Sequence, residues 1–357
     1  MFKKFTVIFF MSYISIFLII SIIKPDMKIN EIENKILTQF IMPDAENIKN
    51  GKFMSNFENY VSEQFPFRNT FIYIKNTFNY LLGNREFRNI YVTENRLLEK
   101  FKLNKHILGK NIDSINNITY STNIPTDILI IPTSIAFYND ELPNYAISDN
   151  QNNVLNDISC ELIGNFYNPY SVLDNHKDEY IYFKTDHHWT QLGARYVYED
   201  MYKKNISSEY SKVADDFKGS YYSKALLPNM KGDEIFAYKE FNNFNITFDF
   251  DSSSSTLYDE KKLNTKNKYQ YFLNGDPGYG IIEGSGVDEI LIFKDSFAHN
   301  FIPFLAKDYS KIHIVDPRYY ALNVLEYIEK NPKINKILFI HNINTLNTDD
   351  VYKKVIF

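Results

Sequence analysis

The sequence predicts an α/β fold built on a mainly parallel sheet, and two observations carry that prediction. Four short aliphatic runs, "DILIIPTS" from Asp127, "EILIFKDS" from Glu289, "KIHIVDPR" from Lys311 and "KILFIHNIN" from Lys336, each stop abruptly in polar residues. Two of the intervals between them, "FAHNFIPFLAKDY" and "YYALNVLEYIEKN", are long enough for helices. Strands covered on both faces read as unbroken Ile/Leu/Val runs, and parallel neighbours need long crossovers. In such sheets ligands bind beyond the carboxyl ends of the strands. Thr133, Ser134, Asp295, Ser296, Asp316, Arg318, His341 and Asn342 are all expected at that edge.

Toward the N-terminus the pattern differs. Residues 5 to 23, "FTVIFFMSYISIFLIISII", carry no charge and follow Lys3 and Lys4. About 20 apolar residues span a bilayer, and the lysines orient the span with its N-terminus inside. The length of the run and the lack of a small-x-small site favour an uncleaved anchor at residues 1–23 over a cleaved signal peptide. The expected location is therefore the cell membrane, single-pass, with the main domain extracytoplasmic.

Residues 24–110 read as a membrane-proximal linker with amphipathic helices. Phe53, Phe57 and Tyr60, then Phe67, Phe71, Ile74, Phe78 and Leu81, recur at helical spacing. This predicts two helices broken at "FPFRN" that bury their stripes against the domain body. "NIYVTENRLLEKF" predicts two short strands around Glu94-Asn95. Residues 111–357 are expected to form the α/β domain, with an insertion at about 206–285. There "NFNITFDFD" alternates and "SSSS" follows, as in a lid, a substrate platform or a surface hairpin.

Composition narrows the partners. A net charge of -5 without basic clusters argues against nucleic acid. The single Cys160 makes no internal disulfide.

Chemistry concentrates in "YFKTDHHWTQLG", residues 182 to 193. In an extended segment i and i+2 share a face, so Asp186 and His188 are expected to enter one pocket, with His187 pointing elsewhere. Thr190 is expected to cap the following helix, "QLGARYVYEDMY". A zinc site is the rival reading, but zinc needs three or four protein ligands and no ligand spacing such as H-x-x-x-H occurs. A packing and capping role is the third reading. Ser296 in "EILIFKDSFAHN" lies where a strand is predicted to meet a helix, whose free N–H groups favour an oxyanion. With His188 as base and Asp186 as orienter it forms a candidate Ser-His-Asp set. Ser296 as a mere helix cap is the alternative, a role open to Asp295 as well. Arg318 and Asn342 are candidates for holding substrate or oxyanion, as are Tyr319, His187 and Trp189. No cofactor and no metal are expected.

"YFKTDHHWTQLGA" together with "LIFKDSFAHNFIPFLAKDYSKIHIVDPRYY" resembles the DHHW protein family, which is similar to the SGNH-hydrolase-like proteins of alginate O-acetylation. "FENYVSEQFPFRN", "IIPTS" and "KYQYFLNGDPG" extend the resemblance over most of the chain outside the anchor. It implies an SGNH or flavodoxin-like three-layer sandwich in which the Asp-x-His motif precedes the serine. It further implies Ser296 as nucleophile, His188 as general base and Asp186 as its orienting carboxylate. The alginate-type pattern is Asp-Thr-His-Trp, so His187 replaces the middle residue. Arg318 and Asn342 match more loosely. The implied activity is acetyl transfer to a cell-surface or secreted polysaccharide, with a membrane-bound O-acyltransferase as donor partner. A carbohydrate O-acetyl esterase with the same triad, and a non-catalytic glycan-binding scaffold, remain the alternatives.

Overall fold

A computed structural model of the chain describes residues 2–33, 35–228, 230–249 and 252–356. Contacts divide it into two compact units, Met1–Asn84 with Ser223–Met230, and Arg85–Tyr222 with Lys231–Phe357.

The first unit begins with α1 (Phe2–Ile23), of which Lys4–Ile23 is long and apolar enough to cross a membrane, with a mean hydropathy of 2.5. Helices α2 (Lys52–Glu63) and α3 (Arg68–Leu81) follow, separated at Phe65-Pro66-Phe67 as expected. Proline disfavours helical geometry in the residue before it, and Phe67 adopts a left-handed φ of 58°. Neither helix has a buried residue. Phe57, Phe67, Phe71, Ile74, Phe78 and Leu81 are all exposed, because α3 spends its other side on polar contacts. Asn69 exchanges hydrogen bonds with Asn30 at 2.9 and 3.0 Å, and Asn76 Nδ2 donates to Ala225 O at 2.7 Å.

In the second unit, Ile90–Val92 and Leu97–Glu99 form the expected hairpin, joined by a third strand, Glu86–Phe87. Its turn contains no glycine; Thr93 Oγ1 instead accepts from the N–H groups of Asn95 and Arg96 at 3.3 and 3.1 Å. Helix α4 (Lys105–Thr122) buries Leu108, Ile112, Ile115 and Ile118 at helical spacing and leads into the sheet.

The sheet has eight strands: β1 (Thr126–Ile131), β2 (Asn165–Tyr167), β3 (Asn245–Phe248), β4 (Ser252–Ser254), β5 (Tyr279–Glu283), β6 (Asp288–Lys294), β7 (Tyr309–Val315) and β8 (Ile334–Asn342). Their order is β4-β3-β5-β7-β6-β8-β1-β2. The four aliphatic runs are β1, β6, β7 and β8, and β7-β6-β8-β1-β2 are parallel throughout. Ile290 to Phe293 and Ile337 to Ile340 are wholly buried. Each such side chain contributes about 1.5–3 kcal/mol relative to exposure, which holds these strands at the centre. The predicted α/β class is the observed one.

The segment expected as an overlying insertion does something different. A separate hairpin, Tyr210–Phe217 with Asp233–Tyr238, does form. But β3, β4 and β5 continue the sheet itself in antiparallel pairing from β7. The alternating "NITF" pattern fits β3, second from the sheet edge with one wet face.

Candidate active site

The segment 182–190 is a tight reversal. Tyr182 and Trp189 pair as an antiparallel bridge, and Phe183 N–H donates to His188 O at 3.2 Å. A buried carboxylate holds its tip: Asp233 accepts from Lys184 N–H and Thr185 N–H at 2.7 and 2.8 Å, from Thr185 Oγ1 at 2.6 Å and from Tyr180 at 2.6 Å. Burial pushes Asp233 up in pKa against the pull of these donors. Thr190 then caps α5 (Gln191–Tyr202) by accepting from Gly193 N–H, as expected.

Asp186 Oδ1 lies 2.5 Å from His188 Nδ1, and His188 Nε2 lies 2.8 Å from Ser296 Oγ. Residues 108 positions apart thus meet in one hydrogen-bonded line. Asp186 and His188 are buried, whereas Ser296 is partly exposed. Asp186 Oδ2 accepts from Ser220 N–H at 2.7 Å. The backbone can come that close only because residue 219 is glycine, since a Cβ there would sit 2.2 Å from Asp186 Cβ and Oδ2. Tyr269 lies flat on the His188 ring, 3.6 Å between centroids and 9° between planes, and its hydroxyl donates to Ser296 O at 2.9 Å.

Ser296 follows β6 directly but does not open a long helix. Residues Ser296–Asn300 form a 3-10 turn, followed by a short helix at Ile302–Leu305. Pro303 has no N–H with which to continue an α-helix through this stretch. Asp295 caps the turn, accepting from Phe297 N–H at 2.9 Å and from Asn342 N–H at 2.7 Å. Capping therefore falls to Asp295 and leaves the Ser296 hydroxyl to His188.

The remaining candidates separate by what they touch. His187 does not point away as expected. Its ring lies 3.7 Å from that of His188 and its Nδ1 is 2.6 Å from Ser220 Oγ, because the chain turns here and the alternation of an extended strand does not apply. Trp189 is wholly buried, its Nε1 donating to Phe297 O at 2.8 Å. Asn300 Nδ2 donates back to Trp189 O at 2.9 Å. Trp189 therefore braces the two motifs and does not face a substrate. Asn342 is buried with its amide donating to Ile131 O at 3.3 Å and its Oδ1 accepting from Asn344 N–H. Arg318 directs its fork onto Asp316, at 2.9 and 2.7 Å. Tyr319 is exposed at 59%, beside the Arg318 guanidinium.

Asp233, Gly219, Ser220 and Tyr269 were not singled out from the sequence. Tyr269 falls in the "KYQYFLNGDPG" stretch and Gly219 in a short polar break, but neither carries a motif of its own. A buried charge cluster was also missed: Lys294 Nζ lies 2.9 Å from His299 Nε2 and 3.6 Å from both Asp276 and Asp316. Ser134 Oγ and Tyr221 OH are buried without a hydrogen-bond partner among the described residues.

Asp186, His187 and His188 have donor atoms within 4.8 Å of one another, a spacing compatible with a metal ion. A metal held there would have to take the carboxylate from its bonds to His188 and Ser220 N–H.

Burial, reinforced by His187, lowers His188 to about 4 despite the opposing pull of Asp186. Burial alone would raise Asp186, yet the two imidazoles hold it well below the usual carboxylate range. His188 is thus a neutral acceptor near neutral pH. His341, wholly buried, is likewise lowered to about 4, chiefly by burial. Unfolded histidine takes up a proton near pH 6.5, while these two resist until about pH 4. The unfolded state therefore binds more protons in that window, and stability falls as pH falls. At about 1.4 kcal/mol per pH unit for each proton, the pair lowers stability by up to about 4 kcal/mol from pH 7 to pH 5. Urea denaturation at the two pH values measures this; equal stability would contradict it.

The DHHW protein family model matches residues 84–315, a stretch that contains Asp186, His188 and Ser296. The chain belongs to the DHHW family. A DHHW family protein from Eubacterium siraeum is 21% identical with a TM-score of 0.62, over 75% of this chain and 95% of that one. PatB1 of Bacillus cereus is 22% identical with a TM-score of 0.60, over 74% of this chain and 99% of PatB1. The O-acetyltransferase domain of Pseudomonas putida AlgJ is 12% identical with a TM-score of 0.45, over 73% and 93%. No curated protein matches. The first two likenesses show that this DHHW chain shares its fold with nearly the whole of each.

Proposed function

We propose that this DHHW protein is an extracytoplasmic O-acetyltransferase that works through an acyl-serine, held at the membrane by α1 with its N-terminus inside. The observation that carries the reading is the Asp186–His188–Ser296 line ending on a partly exposed hydroxyl. Asp186 on Nδ1–H leaves Nε2 as the acceptor. As Ser296 Oγ bonds to the acetyl carbonyl carbon, its proton passes to Nε2. The tetrahedral intermediate collapses, the donor C–O bond breaks, and the leaving oxygen takes that proton. A sugar hydroxyl then gives its proton to Nε2 as it attacks the ester, and Ser296 Oγ departs reprotonated. The Ser296 N–H, with no hydrogen-bond partner among the described residues, is available as an oxyanion donor. Ser134 and Tyr221, with unspent hydroxyls, are candidates to contact the acyl or sugar group.

The family's resemblance to alginate O-acetylation proteins supports acetyl as the group moved, a polysaccharide as acceptor and a membrane-bound O-acyltransferase as donor. An esterase uses the same first half-reaction and differs only in water as the acceptor. The purified chain, given an activated acetyl ester, is expected to divert acetyl from water to added cell-surface oligosaccharide. Acetate release unaffected by any oligosaccharide would favour the esterase, and no turnover with glycan bound would favour a scaffold.

A further inference from the structure

We infer that α3 lies in the outer membrane–water interface as a second membrane element, its apolar face turned into lipid; this rests on the anchor reading of α1. A helix at the surface of a water-soluble domain hides its apolar stripe and exposes its polar one. Helix α3 does the reverse. Phe71, Ile74, Phe78 and Leu81 recur at three- and four-residue spacing on one face, and Phe67 before it and Leu82 after it extend the same stripe. Their exposures are 39, 61, 62 and 76%, with 62% at Phe67 and 71% at Leu82. The opposite side carries Asn69 and Asn76, already bonded to Asn30 and to Ala225 O. Nothing polar remains to be gained by turning the stripe inward.

The occupant is set by what the stripe adjoins. Phe17, inside the apolar span, stacks on Phe65 at 5.4 Å and 4° and meets Phe71 at 5.8 Å. Phe17 precedes the end of the span at Ile23 by six residues, about 9 Å along a helix axis. A bilayer around Lys4–Ile23 therefore places the start of α3 about 9 Å below the outer end of the span, within the roughly 5–10 Å to which interfacial helices sink their apolar faces. The sparse charge of α3, with Arg68 paired to Glu33 and Lys75 alone beyond it, makes apolar burial the driving term rather than attraction to anionic lipid.

The test uses the full chain in phosphatidylcholine nanodiscs, with Cys160→Ser removing the native exposed thiol. Single variants Ile74→Cys, Phe78→Cys, Leu81→Cys, Asn79→Cys and Ser15→Cys carry an environment-sensitive fluorophore. The expected result is lipid-borne quenching at residues 74, 78 and 81, with aqueous quenching reduced about threefold or more relative to residue 79. Residue 15 should be quenched from lipid alone. Water access at 74, 78 and 81 with residue 15 in lipid overturns the inference and leaves the anchor standing. Shielding of the three from both water and lipid means a protein contact, such as a second copy, and also overturns it. Water access at residue 15 removes the anchor reading and this inference with it.

Discussion

Ser296→Ala is expected to lower acetyl-ester turnover by about 10³-fold or more and to abolish the acyl-enzyme seen by mass spectrometry of the intact chain. The loss is specific to chemistry because little else depends on the hydroxyl. Ser296 is partly exposed, its hydroxyl hydrogen-bonds to His188 alone among the described residues, and the turn it opens is capped by Asp295. Folding stability should therefore stay within about 0.5 kcal/mol of the parent, as for surface substitutions. His188→Ala should cost about as much, and the double variant little more, since groups that act as a unit are not additive. A sulfonyl fluoride offers a readout independent of turnover: it should modify Ser296 in the parent and fail to do so in His188→Ala. Retention of turnover within tenfold in Ser296→Ala would place the nucleophile elsewhere.

The second large effect is expected at a residue with no chemistry of its own. Gly219→Ala puts a methyl group where Asp186 Cβ and Oδ2 already stand, 2.2 Å away. These are atoms of a buried side chain held by His188 and Ser220 N–H, so neither side can yield without moving the carboxylate. A displacement of about 1 Å in a catalytic group costs about 10²-fold in rate. The variant should lose about that much kcat, with KM for a small ester changed far less, because in the proposed mechanism Asp186 orients the base and does not touch the substrate. Ser220→Ala, which keeps the backbone N–H to Asp186 and removes only the contact with His187, should retain most activity. Equal losses in both variants would mean that the His187–Ser220 contact, not the approach to Asp186, is what matters.

Legibility followed from how local each signal is. The four aliphatic runs became four parallel strands because an unbroken Ile/Leu run is a statement about burial on both faces. The Asp186–His188 pairing was legible because two residues lie so close in sequence that a short-range rule reaches them. That rule nevertheless misplaced His187, since the segment is a reversal and not a strand. The helix expected after Ser296 is instead a 3-10 turn followed by a four-residue helix with Pro303 in its first turn, because proline cannot donate the N–H that a continuous helix would need there. The stripes on α2 and α3 are legible as stripes, but periodicity reports that a face is apolar, not what covers it.

By itself, then, the sequence determined the apolar span, the strand-forming runs, the helical stripes and the residue types able to do acyl chemistry, all properties of chain segments short enough for local sterics and hydropathy to dominate. Only the tertiary structure decided that Ser296 reaches His188, that Gly219 lets a distant backbone touch Asp186, that Tyr269 lies on the imidazole, and that Trp189 is a brace. Those are contacts between residues tens to more than a hundred positions apart. Their geometry is set by how whole strands and loops pack, and a linear pattern carries no record of it.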